Sequence, residues 1–167
     1  MARVQRLEPS NDQATAFIGI ASNLPIAQLV HFINSKSAIN LAREEDIPIY
    51  NERTGGLNHH SFFYADDNNF LCSYCLLLNS SEGINILPTH KQFNCFLIVQ
   101  GAIPDERISF LISSIKSISG VQIAAQIKQE TVKGLTPIIQ DLELHLSDIK
   151  KQKDNELLRS MPYSQDQ

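Results

Sequence analysis

The sequence predicts an α+β fold, a largely antiparallel sheet of about six or seven strands with helices packed on one face and an extended C-terminal helix. Three observations carry this. Phe93 to Val99 (FNCFLIV) is apolar except for Asn94 and is closed by Gly101, the pattern of a strand buried on both faces and hence central to a sheet. SFFYA at 61–65 and FLCSYCLLLN at 70–79 flank DDNN, two apolar runs joined by turn formers, which reads as a β-hairpin. Leu135, Ile138, Ile139, Leu142, Leu146 and Ile149 recur at helical spacing behind Thr136 and Pro137.

Taken in order, residues 1–13 are polar and contain Pro9, Ser10, Asn11 and Asp12, a composition that predicts a flexible arm. Ala14 to Ala21 reads as a first strand. Leu24 to Ser35 reads as a short helix with Ile26, Leu29, Val30 and Ile33 on one side. Ala38 to Tyr50 gives two strand pieces around the acidic turn Glu44, Glu45, Asp46, and Pro48 confines the second piece to an edge or a bulge. Asn51 to His60 reads as a loop hinged at Gly55 and Gly56, and Asp66 and Asp67 as turn residues. Ser80 to Gly83 is a further turn before a short strand from Ile84 to Leu87, and Thr89 to Gln92 turn the chain into the central strand.

After Gly101, Ile108, Leu111, Ile112, Ile115 and Ile118 line one face of a helix opened by Pro104 and Asp105. Val121 to Lys128 alternates as a half-exposed strand with Val121, Ile123, Ala125 and Ile127 on its apolar side. Thr136 is the expected N-cap of the last helix. Beyond Ile149 the chain turns polar, so 14–150 is expected to be one domain and 151–167 a frayed or disordered tail.

With 167 residues, 43% of them hydrophobic, the chain is long enough for one real core. A net charge of −4 and a pI near 5.7 disfavour nucleic acid as the main partner. No run approaches a membrane span, and no apolar stretch follows Met1, so a cytoplasmic protein is expected. Three cysteines do not make a disulfide framework. Cys72 and Cys75 have the C-x-x-C spacing, but residues three apart on a strand face opposite sides, so they and Cys95 read as core.

The candidates for chemistry are few. His59 and His60 are adjacent, which in an extended chain points them apart and makes them weak metal ligands. His90 sits in the turn before the central strand, and His31 beside the apolar side of the first helix. The sequence holds no nucleophile–base pattern, Gly-rich phosphate loop or ligand-spaced metal set, and it implies no cofactor.

The segments FIGIAS, FIN, INLAREEDIPI, SFFYADDNN and LPTHKQFNCFLIVQG, followed by a helix and VQIAAQI, together resemble the IPExxDVDY family of small Bacteroidetes proteins from Ala16 to Lys128. Leu87 and Pro88 match the naming motif. Thr89, Gln92, Asn94 and Cys95 replace its Glu, two Asp and Tyr. The resemblance implies an ancestry but no reaction, and it leaves the C-terminal helix uncovered.

The leading functional expectation is a non-catalytic module that binds another protein or itself through the terminal helix or a sheet edge, with Leu146, Ile149 and Leu157 as the contact residues. The alternative is a small-ligand protein or enzyme using His59, His60 or His90 in a pocket. The two separate on whether these histidines converge on one cavity with a carboxylate.

Overall fold

The structure, a computed structural model, describes residues 15–162. The expected arm at 1–13 and the last residues of the expected tail, 163–167, lie outside the described residues. In chain order the elements are β1 (Thr15–Ser22), α1 (Ile26–Ser37), β2 (Ala42–Arg43), β3 (Ile47–Asn51), β4 (Gly56–His60), β5 (Phe62–Asp67), β6 (Cys72–Leu78), β7 (Ser80–Ser81), β8 (Ile84–Asn85), β9 (Cys95–Gly101), α2 (Asp105–Lys116), β10 (Val121–Gln126) and α3 (Leu135–Ser160). Six strands form one antiparallel sheet in the order β10-β1-β9-β6-β5-β2, while β3–β4 and β7–β8 are separate two-stranded ribbons. The α+β, largely antiparallel architecture read from the sequence is the one observed.

β9 lies between β1 and β6, and all seven of its residues are buried. The sheet is covered on both faces, which is why its inner strands are nearly continuous in apolar residues. Cys95, Leu97 and Val99 point with Ile18, Ile20, Tyr74 and Leu76 into a core shared with Leu29 and Ile33 of α1 and Leu111 and Ile115 of α2. Phe96 and Ile98 point the other way, with Phe17, Cys75 and Leu77, into a second core closed by α3 and the β3–β4 ribbon. The expectation of helices on one face is therefore corrected: α1 and α2 cover one side, α3 the other.

Two glycines permit this packing. A Cβ on Gly19 would lie 2.8 Å from the Phe93 ring and 2.9 Å from Ile127 Cδ1, so β1 needs a bare backbone for these side chains to cross it. Gly101 has φ +133, and a Cβ there would lie 2.7 Å from the Leu71 carbonyl oxygen.

Local readings shift in physically clear ways. Gly56 to His60, expected as loop, is a strand, because its backbone pairs with β3 from Ile47↔His60 to Asn51↔Gly56 although its sequence shows no apolar–polar alternation. Asp66 and Asp67 are strand residues, and the turn moves to Asn68–Leu71. Asp67 shapes that turn from the strand: Oδ1 accepts the Asn69 and Phe70 amides at 3.0 and 3.3 Å, and Oδ2 accepts the Tyr74 hydroxyl at 2.9 Å. On β10 the fully buried residue is Ala124, which faces α2, whereas Ile123 is 42% exposed. The N-terminal cap of α3 is Gly134 (φ 84) rather than Thr136. The helix continues to Ser160, so most of the expected tail is helical.

Candidate functional site

The cysteines separate as the strand period requires. Cys72 and Cys95 enter the α1–α2 core, Cys75 enters the α3 core, and all three are free and buried. Burial raises their pKa values, that of Cys95 to about 12, so none is poised as a thiolate.

The histidines do not converge. A cleft of about 390 Å³ opens between the β3–β4 tip and the β7–β8 ribbon, lined among others by Tyr50, Glu52, Arg53, Asn58, His60 and Ile86. His60 and Asn58 share the inward face of β4, opposite Ile47 and Ile49. His59 is on the outward face and exposed, and its carbonyl accepts the Ser81 hydroxyl at 2.6 Å. His90 lies in the 3-10 turn Pro88–His90, with Nδ1 2.9 Å from Thr89 Oγ1 and its ring stacked on Phe93. His31 is on the exposed side of α1. Among the described residues no group of three or more His, Cys, Asp or Glu side chains is placed to hold a metal ion.

His60 is 1% exposed, and its Nδ1 is 3.1 Å from the Leu78 carbonyl oxygen. A carbonyl only accepts, so Nδ1 carries the hydrogen. Burial disfavours the charged ring and lowers its pKa from 6.5, outweighing the Leu78 carbonyl and Asp46, which favour the cation; His59 lowers it further. No carboxylate, hydroxyl or thiol among the described residues hydrogen-bonds to this ring.

The buried ring has a stability consequence. Below pH 6.5 the unfolded chain takes up a proton on this histidine that the folded chain does not. Stability is therefore greatest above that pH and falls as pH drops, by at most about 1.4 kcal/mol per pH unit, until the folded ring titrates. Urea midpoints measured from pH 7.5 to 5 are expected to decline in the wild type and to decline less in His60→Gln. Parallel profiles in the two proteins would show that His60 is not responsible.

The terminal helix divides in two. Leu146 and Ile149, expected as intermolecular contacts, are each 7% exposed and pack in the α3 core with Ile47, Ile49 and Phe62. That reading is corrected: they are intramolecular. The acidic segment at Glu44, Glu45 and Asp46, expected as a turn, helps to dock the helix. His145 Nε2 donates to the Glu45 carbonyl at 2.9 Å, and Lys153 pairs with Glu44, whose side chain is only 14% exposed. Lys150 lies over the Tyr64 ring and 3.9 Å from Asp66.

Past Lys153 the helix is exposed on every side through Ser160. Leu157 is 59% exposed, and Leu158 and Met161 join it at 66% and 56%. Of these three, Leu157 is the one that continues the apolar seam, since it follows Leu146 by eleven residues, close to three turns. The pair Leu157-Leu158 amid polar residues was the available signal for the rest.

Comparison of the chain with protein-family models, with curated proteins and with solved structures finds no match in any of the three, so the resemblance to the IPExxDVDY family rests on the motifs quoted above.

Proposed function

We propose that this protein is a non-catalytic interaction module that engages a protein partner or a second copy of itself, with the free end of α3 as a contact surface. The observation that carries this is the run of α3 beyond Lys153, which exposes Leu157, Leu158 and Met161 after the helix has made its last ion pair with the body. Short helices are marginal in water without a packed face, and burying a large apolar side chain is worth about 1.5 to 3 kcal/mol. A partner surface that receives these three side chains would supply that face.

The scatter of the histidines supports the same reading over an enzyme. A cytoplasmic location belongs to this proposal and is supported by three unpaired, buried thiols. No helix among the described residues is long and apolar enough to cross a membrane. The IPExxDVDY resemblance adds no reaction to the proposal.

The test uses Leu157→Glu with Leu158→Glu. Both positions are exposed, so the thermal midpoint is expected to stay within about a degree or two of the wild type. Association, read as solution mass and as capture of interacting chains by immobilised protein, is expected to fall at least tenfold. Equal association by the two proteins would refute a role for the helix end.

A further inference from the structure

We propose that the outer edge of β10 is a self-association site, pairing antiparallel with β10 of a second copy about a two-fold axis at Ala125, so that two sheets run on as one. This rests on the interaction-module reading and names one partner for it.

The two edges of the sheet are unlike. β2 is two residues long and runs into Glu44, Glu45 and Asp46, with Arg43 paired to Asp46, so that edge is short and charged, the usual protection against stray pairing. β10 closes the other edge with VQIAAQ, which has no charge and no proline. Among the described residues no other strand pairs with it. Ile123, 42% exposed, adds apolar surface beside the edge.

The hydrogen-bond phase selects the register. Ile127 N–H bonds the Phe17 carbonyl at 2.7 Å, which continues the pairing Gly19↔Ala125 and Ala21↔Ile123. Ile123, Ala125 and Ile127 thus direct their backbone groups to β1, and Ala124 and Gln126 direct theirs outward. A two-fold interface needs every contact to be reciprocal. With the axis at Ala125, Ala124 and Gln126 of one copy exchange bonds with Gln126 and Ala124 of the other.

On one face of the ribbon, Ile123 then meets Ile127 of the second copy on each side of a close Ala125 pair. Only small methyl groups meet at the axis, where a non-hydrogen-bonded pair brings Cα atoms to about 4.5 Å. Moving the axis to Ala124 would draw Gln122 into the ladder, next to the irregularity in β1 between Ala21 and Ser22. The axis at Ala125 keeps clear of it.

The register can be tested on the full chain. A Cys at the axis has the Cα separation of a disulfide, and the native thiols are all buried. Ala125→Cys is expected to become mostly a disulfide-linked dimer under mild oxidation, and Gln122→Cys is not. In sedimentation velocity the wild type is expected to form dimers whose dissociation constant rises at least tenfold in Gln126→Pro, which removes an outward N–H, and in Ile123→Lys. Both are expected to keep wild-type circular dichroism.

A wild type that is monomeric at every soluble concentration, or an Ala125→Cys chain that does not cross-link, overturns the inference. Association that survives Gln126→Pro but is lost in Leu157→Glu with Leu158→Glu overturns it while leaving the module reading intact. A dimer that forms only when residues 1–13 are deleted also overturns it, since the chain's own N-terminal segment would then occupy the edge.

Discussion

Leu146→Glu combined with Ile149→Glu is expected to leave the chain largely unfolded at 25 °C rather than folded and dissociated. Both side chains are 7% exposed in a cluster with Ile47, Ile49, Phe62 and Leu77. Losing their burial costs about 1.5 to 3 kcal/mol each. Each carboxyl placed there adds a desolvation cost of roughly 2 kcal/mol or more even when it takes up a proton. The total, on the order of 7 to 10 kcal/mol, is comparable with the whole stability of a domain, about 5 to 15 kcal/mol. Circular dichroism and a one-dimensional proton spectrum read the outcome directly. A double variant with native spectra and a smaller solution mass would return these residues to an interface.

That expectation reverses what the seam alone predicts, and the reason lies in the β3–β4 ribbon. In the sequence, Leu146 and Ile149 stand at the border where α3 turns polar, with no apolar segment left over to receive them. The receiving surface is Ile47 and Ile49, and its ribbon is closed by GLNHH, whose backbone makes a ladder while its polar and apolar residues show no alternation. Periodicity reports which side of a strand is buried, and it is silent where only backbone pairing holds the strand. The organising strand was legible for the opposite reason: β9 is buried on both faces, and its run of apolar residues has no other economical explanation.

The faces of the sheet were harder to read than its strands. Alternation on β6 assigns Cys72 and Cys75 to opposite sides, and they are. Which helix covers which side depends on connections of the whole chain, and the one-sided arrangement failed there. Similarly, Ile123 and Ala124 show that alternation on an edge strand names two faces without saying which is covered. The larger residue faces outward because α2 lies over the smaller one. The same blind spot hid the edge of β10 as a specific surface, since its outward backbone groups follow from the phase of the β1–β10 ladder.

Asn79→Leu is expected to destabilise the fold by about 2 to 6 kcal/mol, a larger effect than a polar residue at the end of an expected strand would suggest. Asn79 is fully buried, with 0% exposure, at the exit of β6. Its Nδ2 donates to the carbonyls of His90 and Phe93 at 3.2 and 3.0 Å, and its Oδ1 accepts the Leu87 amide at 3.0 Å. Its own backbone receives the Ile86 amide at 2.7 Å and donates to the Asn94 carbonyl at 2.9 Å. One side chain thus fixes the path from Ile86 to Asn94 that delivers β9 into the sheet. Leucine fills a similar space but leaves the Leu87 amide and the Phe93 carbonyl without partners, each costing about 1 to 3 kcal/mol where water is excluded, while the His90 carbonyl keeps the Phe93 amide at 3.1 Å. Asn79→Asp keeps the shape, removes both donated bonds and sets a carboxyl against two carbonyl oxygens, so it is expected to be no milder. Urea denaturation gives the global loss, and amide exchange at Leu87 gives the local one. A loss under about 1 kcal/mol with Leu87 still protected would show that the segment is held by its apolar contacts, Leu87 and Phe93 in the α3 core, and that the Asn79 bonds add little.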